Sequence, residues 1–359
     1  MMKRVLTIVS LASSLAFTAG AQDLHFSQFY ENSVLTNPAL TGVFSGDYKV
    51  GLDYRNQWAS VATPFSTTMF SAETKILVSH AVADYISFGF GGYYDQAGQI
   101  SFTSMEVYPS IAYNKALEDA HNTYLSVGFT GGFIGRYVDQ SKMTFSNQWI
   151  PGVGPGNGYS ASNPTGETNT YRSLSNYDVG AGIALNGSFD LENKANYYLG
   201  VGMYHLNHPT EVFNISNEQM AKLPIRSEYS AGLHLVANEH ISFSFHGEYT
   251  LQNPYSEFIG GGLVTFRSVP PGMPSIFALS LGCFVRSKDA VIPTVKIDYE
   301  NVSVGFSYDV TTSTLSTGAS GASSAELTLY VHGMYKHRKD PVDPIRCPRF
   351  DDEIYYPFH

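Results

Sequence analysis

Asn301-Val302-Ser303-Val304-Gly305-Phe306-Ser307-Tyr308-Asp309-Val310 is the stretch that decides how this chain folds. Val302, Val304, Phe306, Tyr308 and Val310 fall on one side of an extended strand, and Asn301, Ser303, Gly305, Ser307 and Asp309 fall on the other. Successive side chains of a strand point to opposite faces, so this alternation describes a sheet with one greasy and one wet side. The pattern spreads in both directions. Downstream, Leu327, Leu329 and Val331 oppose Glu326, Thr328, Tyr330 and His332. Upstream, Phe277, Leu279, Leu281, Cys283 and Val285 form an apolar row, and Ile241, Phe243, Phe245 and Tyr249 oppose Ser242, Ser244, His246, Glu248 and Thr250. Near the start, Tyr48, Val50, Leu52 and Tyr54 oppose Lys49, Asp53 and Arg55.

Strands are expected near 46–58, 65–77, 84–96, 100–115, 122–137, 177–189, 195–204, 224–236, 239–251, 254–266, 275–286, 289–299, 301–310 and 324–335. Charged residues and aromatics each make up 14% of the 359 residues, with 25 Tyr, 23 Phe and 33 Gly. Mean hydropathy is only −0.11. A helical span needs about 20 consecutive apolar residues, and no such run follows residue 21. An aromatic-rich, charge-poor chain of alternating strands instead fits an all-β fold: a transmembrane antiparallel outer-membrane β-barrel of about 14 strands, facing lipid outside and a polar lumen inside. An even count places both barrel ends on the periplasmic side. The three longest expected connections, 138–176, 205–223 and 311–323, all follow odd strands, where barrels of this kind carry their external loops.

The formal net charge of −10 argues against nucleic acid as a partner, because phosphate binding needs a basic face. Two cysteines, Cys283 and Cys347, make no disulfide framework. Residues 1–21 read as a signal peptide, with Lys3 and Arg4 ahead of a short apolar run and Ala19-Gly20-Ala21 as the cleavage site. Residues 22–45 then form a periplasmic or plug-like N-terminal segment, 46–335 the barrel, and 336–359 a periplasmic C-terminal tail. By parity both flanking segments should start in the periplasm. The aromatic density of the first (Phe26, Phe29, Tyr30) favours packing inside or beneath the barrel, since exposed rings seek burial.

Candidate chemistry is thin. His246 and Glu248 share a strand face, as do Tyr330 and His332; a barrel supplies such same-face polar pairs by default, so they read as lumen lining rather than as a hydrolase site. His205 and His208 read as ordinary loop polars, their spacing being unsuited to a metal motif. Asp351-Asp352-Glu353 reads as a solvated acidic end. Gly152–Gly158 is a loop tip with no helix behind it to cradle a phosphate. The pairs Gly89/Gly91, Gly180/Gly182 and Gly200/Gly202 lie inside strands, where they ease curvature or close packing. No catalytic residue, metal site or cofactor is expected.

A resemblance adds to this reading. Asp23-Leu24-His25-Phe26-Ser27-Gln28-Phe29-Tyr30 runs into Asn37-Pro38-Ala39-Leu40-Thr41-Gly42, and the first strand ends in Tyr54-Arg55-Asn56-Gln57-Trp58. With Met143–Gln148, His205-Leu206-Asn207-His208-Pro209, Leu223-Pro224-Ile225-Arg226, Asn301–Asp309 and the tail Cys347-Pro348-Arg349-Phe350, the chain resembles the PorP/SprF family of Bacteroidetes type IX secretion and gliding motility. The resemblance implies an integral outer-membrane component that anchors periplasmic parts and supports export of cell-surface adhesins. Its expected partners are other type IX secretion and gliding proteins (periplasmic ring or peptidoglycan-associated components, a secreted adhesin) and outer-membrane lipid. Candidate partner-contact residues are His25, Phe26, Gln28, Phe29, Arg55, Gln57, Trp58, Cys347, Pro348, Arg349 and Phe350. For Tyr54 and Trp58 the structural reading is an interfacial aromatic girdle, with Arg55 and Gln57 facing the lumen. The rival function is an outer-membrane porin or hydrophobic-ligand transporter with an N-terminal plug; an outer-membrane enzyme comes third.

Overall fold

In the computed structural model the chain is a closed antiparallel barrel of fourteen strands. The structure describes residues 23–57, 63–78, 83–117, 122–149, 158, 160, 162–166, 173–210, 222–269, 276–312 and 323–335. The expected signal peptide, Trp58 and the tail 336–359 lie outside these. The strands are β1 (Tyr48–Gln57), β2 (Phe65–Leu77), β3 (Tyr85–Ala97), β4 (Phe102–Ala116), β5 (Tyr124–Tyr137), β6 (Ser173–Ser188), β7 (Ala195–Tyr204), β8 (Arg226–Val236), β9 (Ile241–Gln252), β10 (Tyr255–Ser268), β11 (Phe277–Arg286), β12 (Ala290–Tyr299), β13 (Val302–Thr311) and β14 (Ser323–Gly333). Each pairs with its sequence neighbours, and β1 closes on β14 from Tyr48↔Gly333 to Gln57↔Ser324. Closure leaves no unpaired edge, which a sheet in hydrocarbon requires.

The molecule is inside-out relative to a water-soluble protein. Val304, Phe306 and Val310 of β13 are exposed, while Ser303, Ser307 and Asp309 between them are buried. The outward rows are the apolar faces read from the sequence, and a lipid solvent is what makes their exposure favourable. Cys283 sits among them, free and exposed. The first strand turns out of the lumen at Asp47, which accepts from Tyr335 N (2.9 Å) and donates to Gly333 O (2.7 Å). This tie fixes the seam between β1 and β14.

Strand count and parity agree with the sequence reading. The connections 138–172, 205–225 and 312–322 all leave the same end of the barrel. Most boundaries differ by one or two residues, and the largest difference is at β6, which starts at Ser173 rather than near 177 because the polar stretch Ser173-Leu174-Ser175-Asn176 pairs with Tyr137–Ile134 of β5. Backbone pairing carries these residues although they show no apolar alternation.

Candidate functional site: a lumen filled by the N-terminal segment

Residues 23–47 do not form a free linker. They run through the barrel from the end with the long connections to the end where β1 begins. Asp23 lies beside His205 and Arg226, which follow β7 and open β8; Phe44 O, at the other extreme, accepts from Lys75 Nζ near the end of β2 (2.6 Å). The parity expectation that this segment starts at the same end as β1 is therefore corrected: its start is at the opposite end. Parity counts strands, and a chain running along the lumen is invisible to that count.

At the long-connection end the grip is ionic. The backbone N–H groups of Ser27 and Gln28 donate to the two oxygens of Glu326, each at 2.8 Å. Ser27 Oγ donates to Asp309 Oδ1 (2.7 Å) and accepts from Arg286 Nη2 (2.9 Å). Arg55 and Arg286 flank Asp309 Oδ2 at 3.0 and 2.8 Å, and Arg55 also donates to His25 O. The Gln57 amide oxygen, turned toward it, accepts from Arg55 Nη2 at 2.7 Å. Charges this deeply buried persist only when paired and hydrogen-bonded, and here the partners come from β1, β11, β13, β14 and the segment itself. The half-buried His25 imidazole lies 3.8 Å from Glu257, and desolvation, followed by the charges of Arg286 and Arg55, lowers its pKa.

A second latch holds Asp23. His205 Nε2 lies 2.5 Å from its carboxylate and Arg226 Nη1 3.1 Å away, while His205 Nδ1 lies 2.9 Å from Asp178 Oδ2. Burial works against the charge on Asp23, but His205 and Arg226 outweigh it and keep the carboxyl well below its usual range. Burial also opposes the imidazolium of His205; Asp23 and Asp178 outweigh that in turn and raise it to about 10. The reading of His205 as an ordinary loop polar is thus overturned: it is fully buried and paired on both nitrogens.

Midway, Glu31 sits between Lys49 of β1 (3.1 Å) and Lys296 of β12 (3.0 Å). Tyr330 Oη is 2.6 Å from Asn32 Oδ1 and 2.9 Å from Asp53 Oδ2. Tyr30 is stacked between His246 and Phe284 at centroid distances of 4.8 and 5.3 Å. Phe29 packs into Ile259, Leu263, Phe284 and Ile292, and Phe26 against Met69 and Tyr93. Fully burying such a side chain contributes about 1.5–3 kcal/mol.

The Asn37-Pro38-Ala39 turn docks on a floor of glycines. Asn37 Oδ1 caps the short turn by accepting from Ala39 N (2.9 Å), with Pro38 at its first position, and Asn37 Nδ2 donates to Ile183 O (3.2 Å). A Cβ on Gly128 would lie 2.3 Å from Pro38 C, one on Gly182 2.0 Å from Asn37 Oδ1, and one on Gly202 2.6 Å from Thr36 O. Gly89 and Gly91 leave room for Val34 in the same way. Of the two explanations for the in-strand Gly-x-Gly pairs, close packing operates here, and at Gly89, Gly91, Gly182, Gly200 and Gly202 the segment is among what packs, while Gly180 meets Thr130, Met203 and Tyr204 of the wall. Beyond the turn, Thr41 Oγ1 is 2.7 Å from Ser110 Oγ, and Gly42, at φ +84°, donates to Glu73 Oε2 (2.8 Å).

These contacts fall on the residues that carry the sequence motifs. Residues 18–330 match the family described as type IX secretion system membrane protein PorP/SprF. The chain belongs to that family. Among solved structures, the barrel of this PorP/SprF protein is similar to the CymD monoaromatic hydrocarbon channel, at 11% identity over 89% of this chain and 96% of that one (TM-score 0.47). It is also similar to the Pseudomonas putida toluene transporter TodX, at 10% identity over 83% and 92% (TM-score 0.48), and to CdiB from Escherichia coli, at 8% over 79% and 62% (TM-score 0.43). These likenesses concern the barrel alone. No curated protein matches the chain.

In this PorP/SprF barrel the structure brings His25, Phe26, Gln28, Phe29, Arg55 and Gln57 together at one end of the lumen, and Trp58 and Cys347–Phe350 lie outside the described residues. His246 and Glu248 line the lumen, as does Tyr330. Sequence reasoning missed Asp23, Glu31, Asn32, Lys49, Glu73, Lys296 and Glu326 as members of the network. The wall residues were visible only as polar faces of strands; the buried partner each one meets lies far away in sequence.

Proposed function

We propose that this PorP/SprF protein is a closed anchor: an outer-membrane barrel stoppered by its own N-terminal segment, whose strand-start end docks other parts of the type IX secretion and gliding machinery and so supports export of surface adhesins. One observation carries this reading. The bore is occupied by residues 23–47, held by buried ion pairs at one end and by a capped turn on a glycine floor in the middle. An open porin works through a free bore, whereas an anchor gains rigidity from a filled one; the plugged-transporter rival shares the filled bore and is separated from the anchor by solute flux.

The segment's motif residues are engaged with the barrel wall, which leaves Cys347-Pro348-Arg349-Phe350 as the favoured docking element. The tail 336–359 continues from the end where β14 finishes, the end that outer-membrane barrels present to the periplasm. Two measurements test the proposal. Outer-membrane complexes purified on the full chain are expected to contain periplasmic partners and to lose them when 336–359 is removed; unchanged partners would refute the docking role. Liposomes carrying the full chain are expected to swell in small sugars no faster than empty ones, and clear solute flux would restore the transporter reading.

A further inference from the structure

Between the N-terminal segment and the wall of β8 and β9 lies a small cavity with more carboxylate than its neighbouring cations satisfy. Glu228 and Glu248 line it as diagonal neighbours, Glu228 opposite Thr250 and Ser230 opposite Glu248. Both are more than nine-tenths buried, at 5% and 8% exposure. Arg226 is the cation beside them and is already committed. Its Nη1 pairs with Asp23 (3.1 Å), its Nη2 donates to Leu35 O (2.9 Å), and its Nε stands 2.9 Å from Glu228 Oε1 without hydrogen-bond alignment. Glu228 Oε2, Glu248 Oε2 and the adjacent Ser230 Oγ are buried without a hydrogen-bond partner. Phe26, Phe29, Tyr93 and Tyr108 also line it, as does Glu106, which pairs with Arg136.

Unpaired buried carboxylate oxygens cost free energy until a donor meets them. Aromatic rings beside two such carboxylates are the surroundings in which an organic cation is stabilised, its N–H groups meeting the acceptors and its charge meeting the ring faces. Among the described residues no three His, Cys, Asp or Glu side chains are placed to hold a metal ion, so the donor set suits N–H groups better than a coordinated metal. The cavity reaches Tyr255, Ser256 and Glu257 at the start of β10, at the long-connection end. We propose that this cavity binds a small organic cation, a monosubstituted guanidinium or ammonium, with Glu228 and Glu248 as its acceptors and counter-charges.

The test uses the full chain in detergent with agmatine as probe. Equilibrium dialysis of labelled agmatine is expected to give one saturable site per chain, competed by methylguanidinium and insensitive to the neutral analogue N-butylurea. Glu228→Gln and Glu248→Gln are each expected to weaken binding about tenfold or more, while Glu192→Gln, at an exposed turn, leaves it unchanged. Heat-modifiable gel mobility verifies that each variant keeps its barrel; should a variant lose it, saturation and competition on the unaltered chain decide alone. Absence of saturable binding, equal binding of N-butylurea, or undiminished binding by both folded variants would overturn the proposal.

Discussion

Gly128 and Gly131 lie three residues apart on β5 and face different neighbours. A Cβ at Gly128 would collide with the Pro38 carbonyl, whereas one at Gly131 meets nothing within 4 Å. Gly128→Val should therefore expel the Asn37–Ala39 turn from its floor, and Gly131→Val should leave it seated. Limited proteolysis of the folded barrel reads the difference as cleavage within 23–47 in the first variant only. Titration of the Asp23–His205 latch is argued at this scale as well. Asp178 and Asp23 raise His205 from its ordinary 6.5 to about 10, so its contribution is complete below 6.5 and is lost as pH rises through about 10. Asp23 is depressed from 3.8, so its contribution is present above 3.8 and is lost as pH falls toward the depressed value. A spin label near residue 23 is expected to be immobile between these limits and to gain mobility above about pH 10. His205→Gln should abolish the alkaline step and move the acid step to higher pH, because His205 contributes more than Arg226 to holding Asp23 down.

At the scale of elements, the N-terminal segment behaves as one piece that is distributed over much of the wall. Phe29 is one of its apolar anchors, 4% exposed and packed into Ile259, Leu263, Phe284 and Ile292. Phe29→Ala is expected to cost about 3–5 kcal/mol of docking, which is about a hundredfold or more in local opening. Hydrogen exchange of the Thr36, Asn37 and Leu40 amides, which close the segment's own turns, should accelerate accordingly, with the β-strand amides unchanged. Half of this element was legible beforehand. The crowding of Phe26, Phe29 and Tyr30 argued for burial, whereas the Asn37-Pro38 turn, read beforehand only as part of a family motif, shows its cap in the structure alone. Its direction of travel was not legible, because it is set by pairs such as Ser27–Asp309 and Asp23–His205, which are 282 and 182 residues apart. No local period encodes such partners, and His205 looked like a loop residue for the same reason.

For the whole molecule, the barrel itself was readable because its cause is local. Each strand must present one face to hydrocarbon, so fourteen strands repeat the same alternation, and the parity of long connections follows. Where the reading slipped, at Ser173–Asn176, the lipid-facing row carries no apolar signal and only the pairing with β5 defines the strand. The contents of the lumen follow a different logic: a wide bore lined with charges is costly unless something fills it with complementary groups, and here the chain supplies that filling from its own first residues. Thr41 Oγ1 and Ser110 Oγ, 2.7 Å apart, give the most direct check. With Cys283 and Cys347 changed to Ser, Thr41→Cys combined with Ser110→Cys should form an intramolecular disulfide on mild oxidation of native membranes, since the two β-substituents already meet at bridging distance. Quantitative loss of both free thiols is the predicted result. Two thiols that stay free and alkylate readily would show that the segment does not lie within the barrel.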